Sequence, residues 1–126
     1  MLENLIKKLK TEEVDYDYVD NDKEETINFG LELSYSNIDC EFSYDKDQKL
    51  VRFYSELLQF NEESYEDGLE LINDINYNAI FLKSYLDDDN VLCVEYYLNN
   101  KELTTEVIDD LLSDVANLEE LLEEYI

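Results

Sequence analysis

No catalytic constellation appears in this sequence. It contains no histidine. That removes the commonest general base, the usual partner of a nucleophilic serine or cysteine, and most catalytic zinc geometries. Cys40 and Cys93 are the only thiols, too few for an all-cysteine zinc site or a disulfide framework. Glycine occurs only at positions 30 and 68, so there is no glycine-rich phosphate loop. What remains is carboxylate. Asp15-Tyr16-Asp17 and Asp20-Asn21-Asp22 invite a calcium-loop reading, and the match fails. A loop begun at Asp15 has Asp20 where glycine makes the sharp turn and Thr26 where a bidentate glutamate closes the site. Asp87-Asp88-Asp89-Asn90 sits between two strand-like runs and reads as a polar hairpin loop. Carboxylates are so dense that the closeness of two of them carries no information. No catalytic residue, cofactor or metal site is expected, and the chain reads as non-enzymatic.

The charge itself is the strongest signal. The 126 residues hold 34 Asp plus Glu against 9 Lys plus Arg, a formal net charge of -25. Such a field repels nucleic acid and anionic membrane and attracts basic surfaces. The expected partner is therefore a protein with a basic surface, with no direct nucleic acid and no membrane. Self-repulsion also strains the compact state. Hydrophobic residues make up 44% and proline is absent, which favours one folded domain over 1–126 with a variable acidic segment at 11–26. Apolar runs are too short to span a membrane. The opening MLENLIKKLK lacks the apolar core and small-residue cleavage site of a secretory signal. The expected location is cytoplasmic.

The elements that must position any surface follow from periodicity. Leu2, Leu5, Ile6 and Leu9 fall on one stripe of a short helix, with Lys7, Lys8 and Lys10 toward its C-terminal end. Val14, Tyr16, Tyr18 and Val19 allow an irregular strand within the acidic segment. From Ile27 the period is two: Ile27, Phe29, Leu31, Leu33 and Tyr35 alternate with polar residues. Ile38, Cys40, Phe42 and Tyr44 repeat the pattern after a tight connection, which makes the pair antiparallel. A third strand runs from about 49 to 58, with Val51, Phe53 and Leu57 inward. Ser64 and Asp67 resemble a capping box for a helix whose apolar side is Leu69, Ile72 and Ile75, with Leu71 beside them. Gly68 within it costs about 1 kcal/mol relative to alanine and signals either a short helix or close packing. Strands over about 79–86 and 91–98 follow. Asn99 and Asn100 end the second of them, and Thr104 caps a last helix reaching about Glu124. The fold class is α+β in the order α-β-β-β-α-β-β-α. It is a five-stranded antiparallel sheet with helices packed mainly on one face.

Two surfaces stand out as candidates for partner binding. On the outer face of the sheet, Arg52, Tyr54, Val91, Cys93 and Tyr97 point outward, with Phe81, Lys83 and Tyr85 near them. Aromatics around an arginine have interface composition. The plainer reading is cross-strand pairing on a face partly covered by the first helix. The second surface is the acidic side of the last helix: Glu106, Asp109, Asp110, Asp114, Asn117, Glu120 and Glu124. It has almost no lysine at i,i+4 spacing to relieve its repulsion. Cys40 faces inward and Cys93 outward, so the two should not pair. Two kinds of function fit. One is a protein-binding module that docks on a partner. The other is an acidic inhibitor that occludes a basic nucleic-acid-binding site: a DNA mimic, an anti-restriction or anti-CRISPR protein, or a toxin-immunity protein.

The element order, the hairpin SYLDDDNVLCVEYYL and the helix entry NKELTTEVIDDLL resemble a bacterial YbjN-type domain. Further carriers are LELINDIN from Leu69 to Asn76, the acidic turn from Asp87 to Asn90, and Leu103 to Glu106. The resemblance runs best from about Ile38 to Glu124 and departs in the N-terminal stretch. It also departs in lacking a proline before the last helix. It implies the fold of type III secretion chaperones and a non-enzymatic protein-binding module, chaperone- or adaptor-like, often a homodimer. Such relatives bind extended client segments through surfaces rather than a motif, so no functional residue transfers by position.

Overall fold

The computed structural model describes residues 1–34, 36–99 and 102–125. Tyr35 on the first alternating face and Asn100 at the end of the last strand lie outside the described residues. In chain order the elements are α1 (Glu3–Thr11), β1 (Tyr16–Asp20), β2 (Glu24–Glu32), β3 (Asn37–Asp45), β4 (Leu50–Gln59) and α2 (Tyr65–Asn78). Then come β5 (Lys83–Leu86), β6 (Val91–Asn99), α3 (Thr105–Asn117) and α4 (Glu119–Glu123).

The α+β class and the antiparallel sheet are as the alternation implies, but the sheet has six strands rather than five, ordered β1-β2-β3-β4-β6-β5. The extra strand comes from the acidic segment. Tyr16 to Asp20 pairs with Phe29 to Glu25 at one edge. Its side chains are almost all exposed, so burial leaves no apolar alternation to read there. Backbone pairing makes this strand, and charged edge residues suit it.

The buried side chains form one cluster on one face of the sheet. Phe29, Phe42 and Phe53 run across its floor from strand to strand. Their ring centroids are 6.2 and 4.9 Å apart. Leu2 just before α1, Leu5 and Leu9 of α1, Leu71 and Ile75 of α2, and Ile108, Leu111 and Val115 of α3 close over it. Burying one such side chain is worth roughly 1.5–3 kcal/mol. Helix α1 therefore lies in the same layer as the others and does not cover the outer face. Its Asn4 side chain donates to the Leu103 carbonyl at 3.1 Å, and Lys8 pairs with Asp109 of α3 at 2.8 Å.

Several local expectations are corrected. Ser64 makes no capping bond to α2. Instead the Asn61 side-chain oxygen accepts from the Ser64 N–H and hydroxyl, at 2.9 and 3.0 Å. The buried side of α2 is Gly68, Leu71 and Ile75, whereas Leu69 is 42% exposed. Gly68 marks close packing: a Cβ there would stand 3.2 Å from the Phe60 ring. In β4 a bulge between Glu56 and Leu58 shifts the register, so that Leu58 faces Leu92, and Leu57 is only half-buried. Thr104 caps α3 as the sequence implies, accepting from the Val107 N–H at 3.2 Å. The last helix, expected to be continuous, breaks at Leu118, whose N–H bonds to the Val115 carbonyl at 3.1 Å. Glu119 is buried there and accepts from the Ser34 N–H at 3.1 Å.

Candidate protein-docking surface

The sheet register sets transverse rows on its outer face. One row runs Val19, Thr26, Ser43, Arg52, Tyr97, and the next runs Asp17, Asn28, Glu41, Tyr54, Glu95, Lys83. Period-two alternation sends all of these away from the core. The four sheet-face residues expected as a partner-binding set, Arg52, Tyr54, Tyr85 and Tyr97, come together around one guanidinium. Arg52 donates to the Glu95 carboxylate through Nη2 at 2.9 Å and Nε at 3.3 Å. Its guanidinium carbon lies 4.3 Å from the Tyr54 ring centroid and 5.8 Å from that of Tyr97. Nη2 also donates to the Tyr85 hydroxyl at 3.4 Å. A half-exposed cation–π contact is worth about 0.5–1 kcal/mol, and a half-exposed ion pair no more. The cluster is thus a positioning device rather than a large source of stability.

Burial alone would lower the Arg52 pKa. The Glu95 hydrogen bond and the negative groups around it outweigh burial and raise it. Tyr54 is pushed well up, first by burial and then by hydrogen bonds to Cys93 and Glu56. Burial, then the charge of Glu95, raises Tyr85. Both phenols stay protonated and available as donors.

Cys93 is corrected. It lies on the outer side of β6, yet it is fully buried. The Tyr54 hydroxyl is 3.3 Å from its sulfur, and its thiol donates to the Val91 carbonyl at 3.5 Å. Burial raises its pKa, with Asp87 and Glu56 adding to that and the Tyr54 hydrogen bond partly opposing it. A protonated, covered thiol is neither nucleophile nor ligand. Burial also pushes the Cys40 thiol up to about 12. Both cysteines are free, on opposite sides of the sheet.

The helix row does not survive as a unit. Glu106, Asp109, Asp110, Glu120 and Glu124 are exposed, and Asp109 is engaged by Lys8. Asp114, expected in that exposed row, is only 3% exposed. Its carboxylate accepts from the backbone N–H groups of Ile80, Phe81 and Leu82 at 3.0, 2.9 and 3.0 Å. This clamp explains why the strand expected from 79 begins only at Lys83: the N–H groups it needs are already taken. The surviving acids of α3 and α4 lie in the helix layer, on the opposite side of the sheet from Arg52.

The Asp87 turn is an ordinary hairpin. Asp87 Oδ1 accepts from the N–H groups of Asp89 and Val91 at 2.8 and 3.0 Å. Asn90 takes the left-handed conformation at φ 60°, which asparagine tolerates. Among the described residues no three His, Cys, Asp or Glu side chains are grouped to hold a metal ion. No helix of the described residues is long and apolar enough to cross a membrane. The sequence reading missed Glu95, although its alternation with Val94 and Tyr96 placed it on the outer face. It missed the inward role of Asp114, for which one helix offers no signal.

An antiparallel sheet with all its helices on one face and an aromatic–arginine centre on the other defines a mixed α/β domain that presents an open sheet. The family model of YbjN, described as "Putative bacterial sensory transduction regulator", matches residues 2–118, and the chain belongs to that family. The match includes the N-terminal stretch, where the resemblance had been expected to lapse. No curated protein matches the chain.

Proposed function

We propose that the chain is a non-enzymatic, cytoplasmic protein-binding module of the adaptor or chaperone type, docking on a partner protein through the open face of its sheet. The observation that carries this reading is the Arg52 cluster on a face that no helix covers. Arginine and tyrosine dominate the energetics of protein interfaces because they offer large, stiff contact areas with polar ends. Glu95 and Tyr54 hold Arg52 in place before binding, which lowers the ordering cost of association. Asp39 and Glu41 on the neighbouring strand lie beside the cluster with no Lys or Arg within 4 Å among the described residues. That supports a basic rim on the partner. A homodimer through this face would bring two surfaces of a chain of net charge -25 together, which opposes it. A family described as regulators of sensory transduction is compatible with an activity exerted by binding.

The acidic-inhibitor alternative draws less support. With Asp114 turned inward and Asp109 paired, the helix acids form no continuous row that could imitate a phosphate backbone. The test is capture of partners from the native host at moderate salt, read by quantitative mass spectrometry. The bait is compared with an Arg52→Ala/Tyr97→Ala variant and a Glu106→Gln/Asp110→Asn variant. The specific partner should fall about tenfold with the sheet-face variant and persist with the helix variant. The reverse pattern would favour the inhibitor reading, and no partner even at low salt would count against both.

A further inference from the structure

The two edges of β6 are not equally used. Phe60 N–H bonds to the Asn90 carbonyl at 2.9 Å on the β4 side, and Asp87 N–H bonds to the Val91 carbonyl at 3.0 Å on the β5 side. Even-numbered residues of β6 therefore address β4 and odd-numbered ones address β5, as an antiparallel ladder requires. On the β4 side pairing continues to Asn99. On the β5 side it stops at Lys83 opposite Glu95. Continued in register, the chain would set Phe81 opposite Tyr97 and Ala79 opposite Asn99. It does not continue, because Asp114 holds the N–H groups of Ile80, Phe81 and Leu82. Among the described residues, the backbone N–H and C=O groups of Tyr97 and Asn99 that face this side have no strand partner.

The vacancy is shaped. Beside it lies a recess of about 420 Å³ lined by Phe81, Lys83, Glu95, Tyr96 and Tyr97. Phe81 meets the Tyr96 ring edge-on, with centroids 6.1 Å apart. Ile80 is 77% exposed and Tyr97 49%, so apolar surface concentrates where strand pairing is missing. Unpaired edges next to apolar surface are the usual template for an added strand. Tyr97 also borders Arg52, so the edge is continuous with the open face.

We propose that the Tyr97–Asn99 edge is a strand-addition site for an extended segment of the partner protein. Backbone hydrogen bonds to Tyr97 and Asn99 hold the segment, and one of its apolar side chains enters the Phe81–Tyr96 recess. The segment is basic or uncharged overall, since an acidic one would approach a chain of net charge -25. This deepens the docking function and rests on it for the existence of a protein partner.

The probe is a capped pentapeptide alternating lysine with phenylalanine and valine. Its control is the same peptide N-methylated at alternate residues, and both are titrated into the ¹⁵N-labelled full chain. Saturable shifts are expected around Phe81, Tyr96 and Tyr97, with amide exchange at Tyr97 and Asn99 slowed about tenfold. Asn99→Pro, which removes one backbone donor, should weaken binding about tenfold, and N-methylation, which removes the peptide's donors at alternate residues, at least as much. Equal affinity of the N-methylated peptide would overturn the proposal. So would shifts spread over the acidic surface without amide protection, or no binding at millimolar peptide. Self-association that protects the same amides without peptide would assign the edge to a second copy and also overturn it. A failed titration with partner capture still lost in Arg52→Ala/Tyr97→Ala would leave the docking face standing and remove strand addition alone.

Discussion

Asp114→Ala separates a structural clamp from a solvated helix face. In the wild-type chain the carboxylate accepts three backbone N–H groups between 2.9 and 3.0 Å. Hydrogen bonds to charged groups are worth about 1.5–3 kcal/mol each, and a buried donor left unsatisfied costs about 1–3 kcal/mol. The Ile80 N–H belongs to a residue that is mostly exposed, so water replaces its partner cheaply. The N–H groups of Phe81 and Leu82 remain, and Leu82 is buried. Leaving these two donors unsatisfied, at about 1–3 kcal/mol each, gives a loss of about 2–6 kcal/mol, read as the shift in urea unfolding free energy at neutral pH. Asp114→Asn retains one acceptor oxygen and turns an amide donor toward the other N–H groups, so it should lose about half as much. Hydrogen exchange at Phe81 and Leu82 should accelerate in both variants. Were Asp114 an exposed acid on a helix face, its replacement would shift stability by no more than about 0.5 kcal/mol, or raise it by relieving repulsion with Asp110. A change that small, with exchange at Phe81 and Leu82 unaltered, would refute the clamp.

Burial raises Cys40 from 9.0 to about 12, so the unfolded chain releases that proton first as pH rises. Stability tied to this group is complete below pH 9 and is lost between about pH 9 and 12, at up to roughly 1.4 kcal/mol per pH unit. Urea midpoints measured at pH 8 and 10.5 should show the fall, and Cys40→Val should make it shallower while Cys93 and the raised phenols keep their own share; an unchanged slope in the variant would rule Cys40 out as a source. On α2, Leu69→Glu should leave stability within about 0.5 kcal/mol, whereas Leu71→Ala should cost about 2–5 kcal/mol. Equal effects in thermal melts would mean that the helix buries a different side. Self-repulsion at a net charge of -25 predicts a melting temperature that rises when sodium chloride is increased from 10 to about 500 mM; a flat response would show that the repulsion is already relieved.

Much of the fold was legible because it is written in local periodicity. Ile27 and Phe29, Ile38 to Phe42, and Leu92 to Leu98 each mark one buried face by alternation, and α3 declares its stripe and its Thr104 cap in consecutive residues. Arg52, Tyr54, Tyr85 and Tyr97 could be grouped for the same reason: once strand faces are assigned, outward residues on neighbouring strands share a surface. The edge strand Tyr16–Asp20 was less legible, since its stability comes from pairing with β2 and not from a buried face. Leu69 was misplaced because four apolar residues crowd α2 and the helix rotates only as its neighbours allow.

By itself, then, the sequence determined the charge, the lack of histidine, the antiparallel α+β class and the outward Arg–Tyr set. These follow from composition and from periods of two and 3.6 residues, which a single chain segment contains. The tertiary structure alone decided that Asp114 turns inward, that Cys93 is covered although it lies on the outer side, and that β5 stops at Lys83. Each depends on a partner distant in sequence: the Ile80–Leu82 backbone for Asp114, Tyr54 for Cys93, and Asp114 in turn for the open edge of β6. A carboxylate on a helix surface and a carboxylate holding three backbone N–H groups have the same local sequence, and only the packing of α3 against the 80–82 segment tells them apart.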